Sequence, residues 1–160
     1  MRSAIRRLGK IIRQDGGSAQ IEFALSAMTM LIAIFGTMDI ARAAYMFHFV
    51  SYAAQEGTRY AMVRGSSWGS ASCTSTSTMA CNATSTNVQS YVRSLASVGM
   101  TSSNLTVTTT WPGTTISGGT CSTTNAAGCL VKVKVSYPFT SFLPRTSLTF
   151  AGTSETVIQK

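Results

Sequence analysis

Apolar and polar positions divide this chain into three regimes. From Phe23 to Met38 the run FALSAMTMLIAIFGTM carries no charge for sixteen residues, between Glu22 and Asp39. As an α-helix it rises about 24 Å; counted from Ser18, the segment to Met38 rises about 31 Å, against a hydrocarbon core of roughly 30 Å. That is long enough to cross a membrane once.

In the second regime, DIARAAYMFHFVSYAAQEGTRYAMV, there is no proline, and Ile40, Ala44, Phe47, Val50, Ala54 and Ala61 recur at spacings of three, four or seven. This pattern predicts a continuing helix with one face against a partner. Gly65, followed by SSWGSAS, is the expected stop. A helix from Ser18 to about Arg64 would be ~70 Å long, so its outer half should pack on the domain that follows.

The third regime begins with a Ser/Thr-rich stretch, 66–85, that reads as loop. Asn87 to Val98 places Val88, Tyr91, Val92, Leu95 and Val98 on one side, predicting a short amphipathic helix capped by Thr86 or Ser85. Strands are expected over 104–111, 130–137 and 147–158. The middle one alternates Val131, Val133, Val135 and Tyr137 with Lys132, Lys134 and Ser136, which marks one buried and one solvated face. Gly152 weakens the third. The expected fold is α+β: a long N-terminal transmembrane helix, a second short helix and a small antiparallel sheet of about three strands. Three regions follow: a basic leader over 1–17, the anchoring and extended helix over 18–65, and an exported domain over 66–160.

Charge changes the picture chiefly by its placement. The formal net charge is +8, yet Arg2, Arg6, Arg7, Lys10 and Arg13 all precede the apolar run. Without residues 1–17, eight basic and four acidic residues remain. The excess therefore reads as a topology signal that puts the N-terminus in the cytoplasm and residues from ~40 onward outside, rather than as a nucleic-acid surface. Catalytic raw material is scarce: His48 is the one histidine, and the acids are Asp15, Glu22, Asp39, Glu56 and Glu155. No enzyme, metal or cofactor is expected from this set.

Cys73 and Cys81 form one group and Cys121 and Cys129 another, each with seven intervening residues. In Ser/Thr/Gly-rich loops of an exported domain, four cysteines suggest disulfides. Three connectivities are open. The local pairs Cys73–Cys81 and Cys121–Cys129 are favoured, each closing a loop worth roughly 2–3 kcal/mol. Zinc sites want pairs two to four residues apart, which these are not.

The string Gly17-Ser18-Ala19-Gln20-Ile21-Glu22-Phe23 is similar to a prepilin peptidase site, in which glycine precedes a membrane helix with glutamate at the fifth mature position. With cleavage after Gly17, Glu22 is that residue and Phe23 the aromatic after it. Together with Ala53-Ala-Gln-Glu-Gly-Thr-Arg-Tyr-Ala61 and Val133-Lys-Val-Ser-Tyr-Pro-Phe139, it resembles the TadE-like family, the pseudopilins of tight-adherence (Flp-type IV) pilus systems. The resemblance implies cleavage between Gly17 and Ser18 by a prepilin peptidase, contact of Glu22 with the new N-terminus of a neighbouring subunit, other pilin subunits and inner-membrane lipid as partners, and a role in surface attachment. The insert holding Cys73 and Cys81 has no counterpart in it. Independently of any family, a carboxylate one turn inside an apolar segment costs up to about 2.5–3.5 kcal/mol at mid-membrane, and an amine partner would offset that.

Several residues invite simpler readings. Gly57, costing ~1 kcal/mol in a helix interior, suggests close approach of another element. Glu56 with Arg59 has the i,i+3 spacing of a surface ion pair, and Asp39 with Arg42 has the same spacing at the outer membrane boundary, where a structural pair is expected rather than a proton relay. His48, among Phe47, Phe49 and Tyr52, reads as packed or interfacial. The rival function is a secreted binding module or adhesin released by signal peptidase near Ala43, since Ala41-Arg42-Ala43 has the small-x-small form.

Overall fold

The structure is a computed structural model that describes residues 16–68, 82–96, 99–142 and 146–159. The chain divides into two compact units, residues 1–40 and 41–160. One helix, α1 (Gly16–Val63, 48 residues), contributes to both.

In the first unit no residue from Gly17 to Met38 is buried. The hydroxyls of Thr29 and Thr37 donate to the carbonyls of Ser26 and Ile34, each at 2.9 Å. Those polar side chains are thereby satisfied on their own helix.

In the second unit the rest of α1 buries Met46, Phe49, Val50, Ala53, Ala54, Gly57, Thr58 and Ala61, a stripe alternating by three and one. The expected face is half right. Val50, Ala54 and Ala61 lie on the stripe, but Ile40, Ala44 and Phe47 are exposed. Around those three the helix is apolar on nearly every side, so period alone selects no face. Small residues mark the true one, because they let the backbone come close to the sheet. The helix also ends differently. It stops at Val63, and Gly65 does not take the left-handed conformation. Carbonyls freed at the end bond to distant backbone instead: Met62 accepts from the Gln159 N–H at 2.9 Å and Arg64 from the Ala83 N–H at 2.7 Å.

The second helix, α2, spans Ser85–Ser94 and buries Val88 and Val92. Its cap is Thr84, extended, whose hydroxyl accepts from the Asn87 N–H at 3.2 Å; the expected caps Ser85 and Thr86 are already helical. The helix closes before the expected Val98, with Leu95 and Ala96 donating to carbonyls three residues back; Val98 itself lies outside the described residues.

A short 3₁₀ turn, Ser102–Asn104, leads into β1 (Thr106–Thr110), β2 (Leu130–Thr140) and β3 (Ser147–Val157), an antiparallel sheet of order β1-β2-β3. The alternation in β2 holds as expected. Val131, Val133, Val135, Tyr137 and Phe139 are buried while Lys132 and Lys134 are exposed, and Lys132 pairs across the sheet with Glu155 at 3.6 Å. β2 runs three residues past its expected end, through Pro138. Pairing with β1 stops at Ser136, so a proline beyond it forfeits no bond to that neighbour. The α+β fold expected from sequence is the one observed.

Two glycines set how closely α1 lies on this sheet. A Cβ on Gly57 would sit 2.8 Å from Val92 Cγ2 and 3.2 Å from Val133 Cγ1, the close approach expected there. A Cβ on Gly152 would meet backbone: the Val50 carbonyl oxygen at 2.5 Å and Ser51 Cα at 2.8 Å. What looks in sequence like a weak point of β3 is the place where helix and strand touch.

The link from β1 to β2 is organised by one disulfide, Cys121–Cys129, with Cα atoms 6.2 Å apart, as expected. The Cys121 N–H donates to Gly113 at 2.9 Å and the Leu130 N–H to Thr114 at 2.8 Å. Asn125, within the bridged loop, accepts from the Ser66 N–H just past α1 at 2.9 Å. Cys73 and Cys81 lie outside the described residues.

Candidate processing and assembly site

Gly16 and Gly17 form the first turn of α1, and Ser18 follows within it. Gly17 has open space around it: an added Cβ would touch nothing within 4 Å. Five residues on, Glu22 is exposed, flanked by exposed Ile21 and Phe23, the latter 75% accessible. Among the described residues, none forms a hydrogen bond or ion pair with the Glu22 carboxylate. The structure thus brings Gly17, Ser18, Glu22 and Phe23 onto one or two turns at the head of a single helix.

C-terminal to Glu22 the surface is continuously apolar. Leu25, Met28, Leu31, Ile32, Ile34 and Phe35 are all exposed. Among the described residues, α1 is the one helix long and apolar enough to cross a membrane, and the most apolar window within it has no buried residue. Such a surface in water would be unusual; it fits lipid or the helices of other subunits.

The remaining candidates are placed as follows. His48 is exposed on α1. Arg59 donates to Glu56 at 3.0 Å, the expected surface pair. Arg42, read from sequence as an ion-pair residue, also lies over two rings, its guanidinium carbon 4.7 Å from the centre of Phe142 and 5.6 Å from that of Phe139. Sequence reading missed this contact; the signal was the aromatic end of β2, Tyr137-Pro138-Phe139, followed closely by Phe142. Among the described residues, no three His, Cys, Asp or Glu side chains are grouped so as to hold a metal ion.

A long helix with a bare apolar N-terminal half, and a small α+β unit formed with its other half, suggest a membrane-anchored or pilus-incorporated protein. Residues 17–59 match the family model of TadE-like proteins, in agreement with the resemblance read from the sequence. The matched segment begins at Gly17 and takes in Glu22 and the Glu56-Gly57-Thr58-Arg59 stretch; α2 and the sheet lie outside it. Comparison with curated proteins and with solved structures gives no match. The family match, which covers most of α1 alone, supports a pilin-like protein associated with a tight-adherence pilus.

Proposed function

We propose that this chain is a minor pilin of a tight-adherence pilus, held in the inner membrane by residues 18–38 until it enters an assembly, with residues from about 40 onward outside the cytoplasm and the basic residues 1–17 removed by a prepilin peptidase. The observation that carries this is the position of Glu22: an exposed carboxylate, with no described partner, at the head of an exposed apolar helix and five residues after Gly17. Cleavage between Gly17 and Ser18 creates an α-amino group, a cation suited to this carboxylate in a neighbouring subunit. Substrate access also favours the site. Two consecutive glycines each disfavour helix by ~1 kcal/mol, and first-turn N–H groups lack intrahelical acceptors, so local unwinding to an extended, cleavable strand costs little.

Release by signal peptidase near Ala43 fits the structure less well. α1 runs unbroken through Ala41-Arg42-Ala43, and Arg42 packs over Phe139 and Phe142. Cleavage there would cut a formed helix at a residue the second unit holds.

The proposal is tested with Glu22→Ala and Glu22→Gln, scored for membrane insertion, loss of residues 1–17, and recovery with sheared pili or pulled-down pilus components. Both variants are expected to insert and mature but not to join the assembly. Normal incorporation would refute the role of Glu22.

A further inference from the structure

The end of the β2–β3 hairpin carries an apolar surface that the second unit's core does not use. Phe142 is 63% exposed and Leu148 52% exposed, and Phe47, little more than one α1 turn beyond Arg42, is 57% exposed. Phe47 meets Phe150 edge-on with ring centres 6.1 Å apart, which joins the helix and hairpin parts of the surface. Beside them is a cleft of about 460 Å³ lined by Arg42, Thr140, Ser141 and Phe142. A cation, two hydroxyls and aromatic side chains side by side are the composition of a membrane interface, where rings lie among acyl-chain ends and glycerol groups while Arg reaches phosphates.

Chain connectivity limits how far such a surface can lie from the anchor. Arg42 follows Met38, the end of the apolar run, by four residues, and four residues of any conformation span no more than about 14 Å. Phe142 is stacked with Arg42 at 4.7 Å. A bilayer holding residues 18–38 therefore has its outer headgroup layer within reach of the hairpin end. The other end of the sheet has no such constraint: Thr110 pairs with Lys132, eight residues along β2 from Thr140, or about 27 Å of strand.

We infer that the β2–β3 hairpin end, through Phe142 and Leu148 with Arg42 beside them, docks into the phospholipid headgroup layer of the bilayer that anchors α1. This rests on the membrane-anchor reading and adds a second contact to it. A two-point attachment would hold the exported unit against the lipid before assembly, and leaving the membrane would expose the hairpin end to neighbouring subunits.

Depth-dependent fluorescence quenching tests it on the full-length chain in phosphatidylethanolamine–phosphatidylglycerol vesicles containing nitroxide lipid, labelled either at the headgroup or deep in the acyl chain. The native tryptophans are Trp68 and Trp111. A W68F chain reports on Trp111 at the far end of the sheet. In a W68F/W111F background, F142W and, as a second placement, L148W report on the hairpin end, and F35W reports on the anchor. The F142W and L148W chains are expected to lose most of their emission to headgroup-labelled lipid and to show a blue shift, while Trp111 is not quenched. If the F35W chain is quenched by deep-labelled lipid while the F142W and L148W chains are quenched by neither label, the hairpin inference fails and the anchor stands. If Trp111 is quenched equally, the whole unit lies on lipid and the assignment to the hairpin is wrong. If the F35W chain itself escapes quenching, the anchor reading fails and this inference fails with it.

Discussion

Replacing Gly152 with alanine tests the packing of α1 on the sheet more sharply than truncating any core side chain. The new methyl would sit 2.5 Å from the Val50 carbonyl oxygen, 2.7 Å from its carbon and 2.8 Å from Ser51 Cα. These are backbone atoms in the middle of a helix, so no rotamer change relieves them; helix and strand must separate. Overpacking of this kind costs about 1–3 kcal/mol, and backbone neighbours put it near the upper end. Alanine recovers about 0.5–1 kcal/mol of strand preference over glycine, leaving a net loss of about 2 kcal/mol. Gly57→Ala supplies the contrast. There the tightest neighbours are the Val92 Cγ2 and Val133 Cγ1 methyls at 2.8 and 3.2 Å, side-chain rather than backbone atoms, and alanine gains ~1 kcal/mol of helix preference that offsets part of the overpacking. That variant should remain within about 1 kcal/mol of the parent. Thermal unfolding of both full-length variants in detergent, followed by near-ultraviolet circular dichroism, should lower the midpoint by roughly 5–10 °C for Gly152→Ala and by much less for Gly57→Ala. A Gly152→Ala protein as stable as the parent, or more stable than Gly57→Ala, would refute the claim that helix–strand contact at this residue sets the spacing.

Other consequences follow from single features. Breaking the Cys121–Cys129 bridge with paired serines should cost roughly 2–3 kcal/mol, the entropy of a short closed loop, read as a lowered midpoint in the same assay. Thr84→Ala removes the acceptor for the Asn87 N–H and should cost about 1 kcal/mol, with Thr84→Ser restoring most of it. Leu105→Ala empties a fully buried position and should cost about 2–5 kcal/mol, depending on how far the site collapses; a loss below about 1 kcal/mol would show that Leu105 is not core.

Much of this fold is legible in the sequence because its signals are one-dimensional. Sixteen uncharged residues and a proline-free continuation announce α1, and the Val/Lys alternation fixes which face of β2 is buried. The Gly17–Phe23 string is equally local, so the candidate processing site could be named residue by residue. What sequence could not give depends on where other elements come to rest. Ala44 and Phe47 share a plausible helical face with Val50, yet the sheet does not bury them. The end of α1 depends on Gln159 and Ala83, backbone partners remote in sequence that no C-terminal motif reveals. Gly152 read as a defect because the helix that needs its missing side chain, at Val50 and Ser51, lies far back along the chain. The rings of Phe139 and Phe142 over which Arg42 lies are likewise remote from it in sequence, so that contact was not legible there.

The central claim is that Glu22 sits at the head of an apolar helix for the sake of an amine that proteolysis makes. Intact mass and N-terminal sequencing of the chain recovered from cells that possess a prepilin peptidase, beside cells that lack it, address this directly. The expected mature chain begins at Ser18 in the first and retains residues 1–17 in the second. A functional assembly whose subunits keep the Gly17–Ser18 bond, or begin at Ala44, would contradict it.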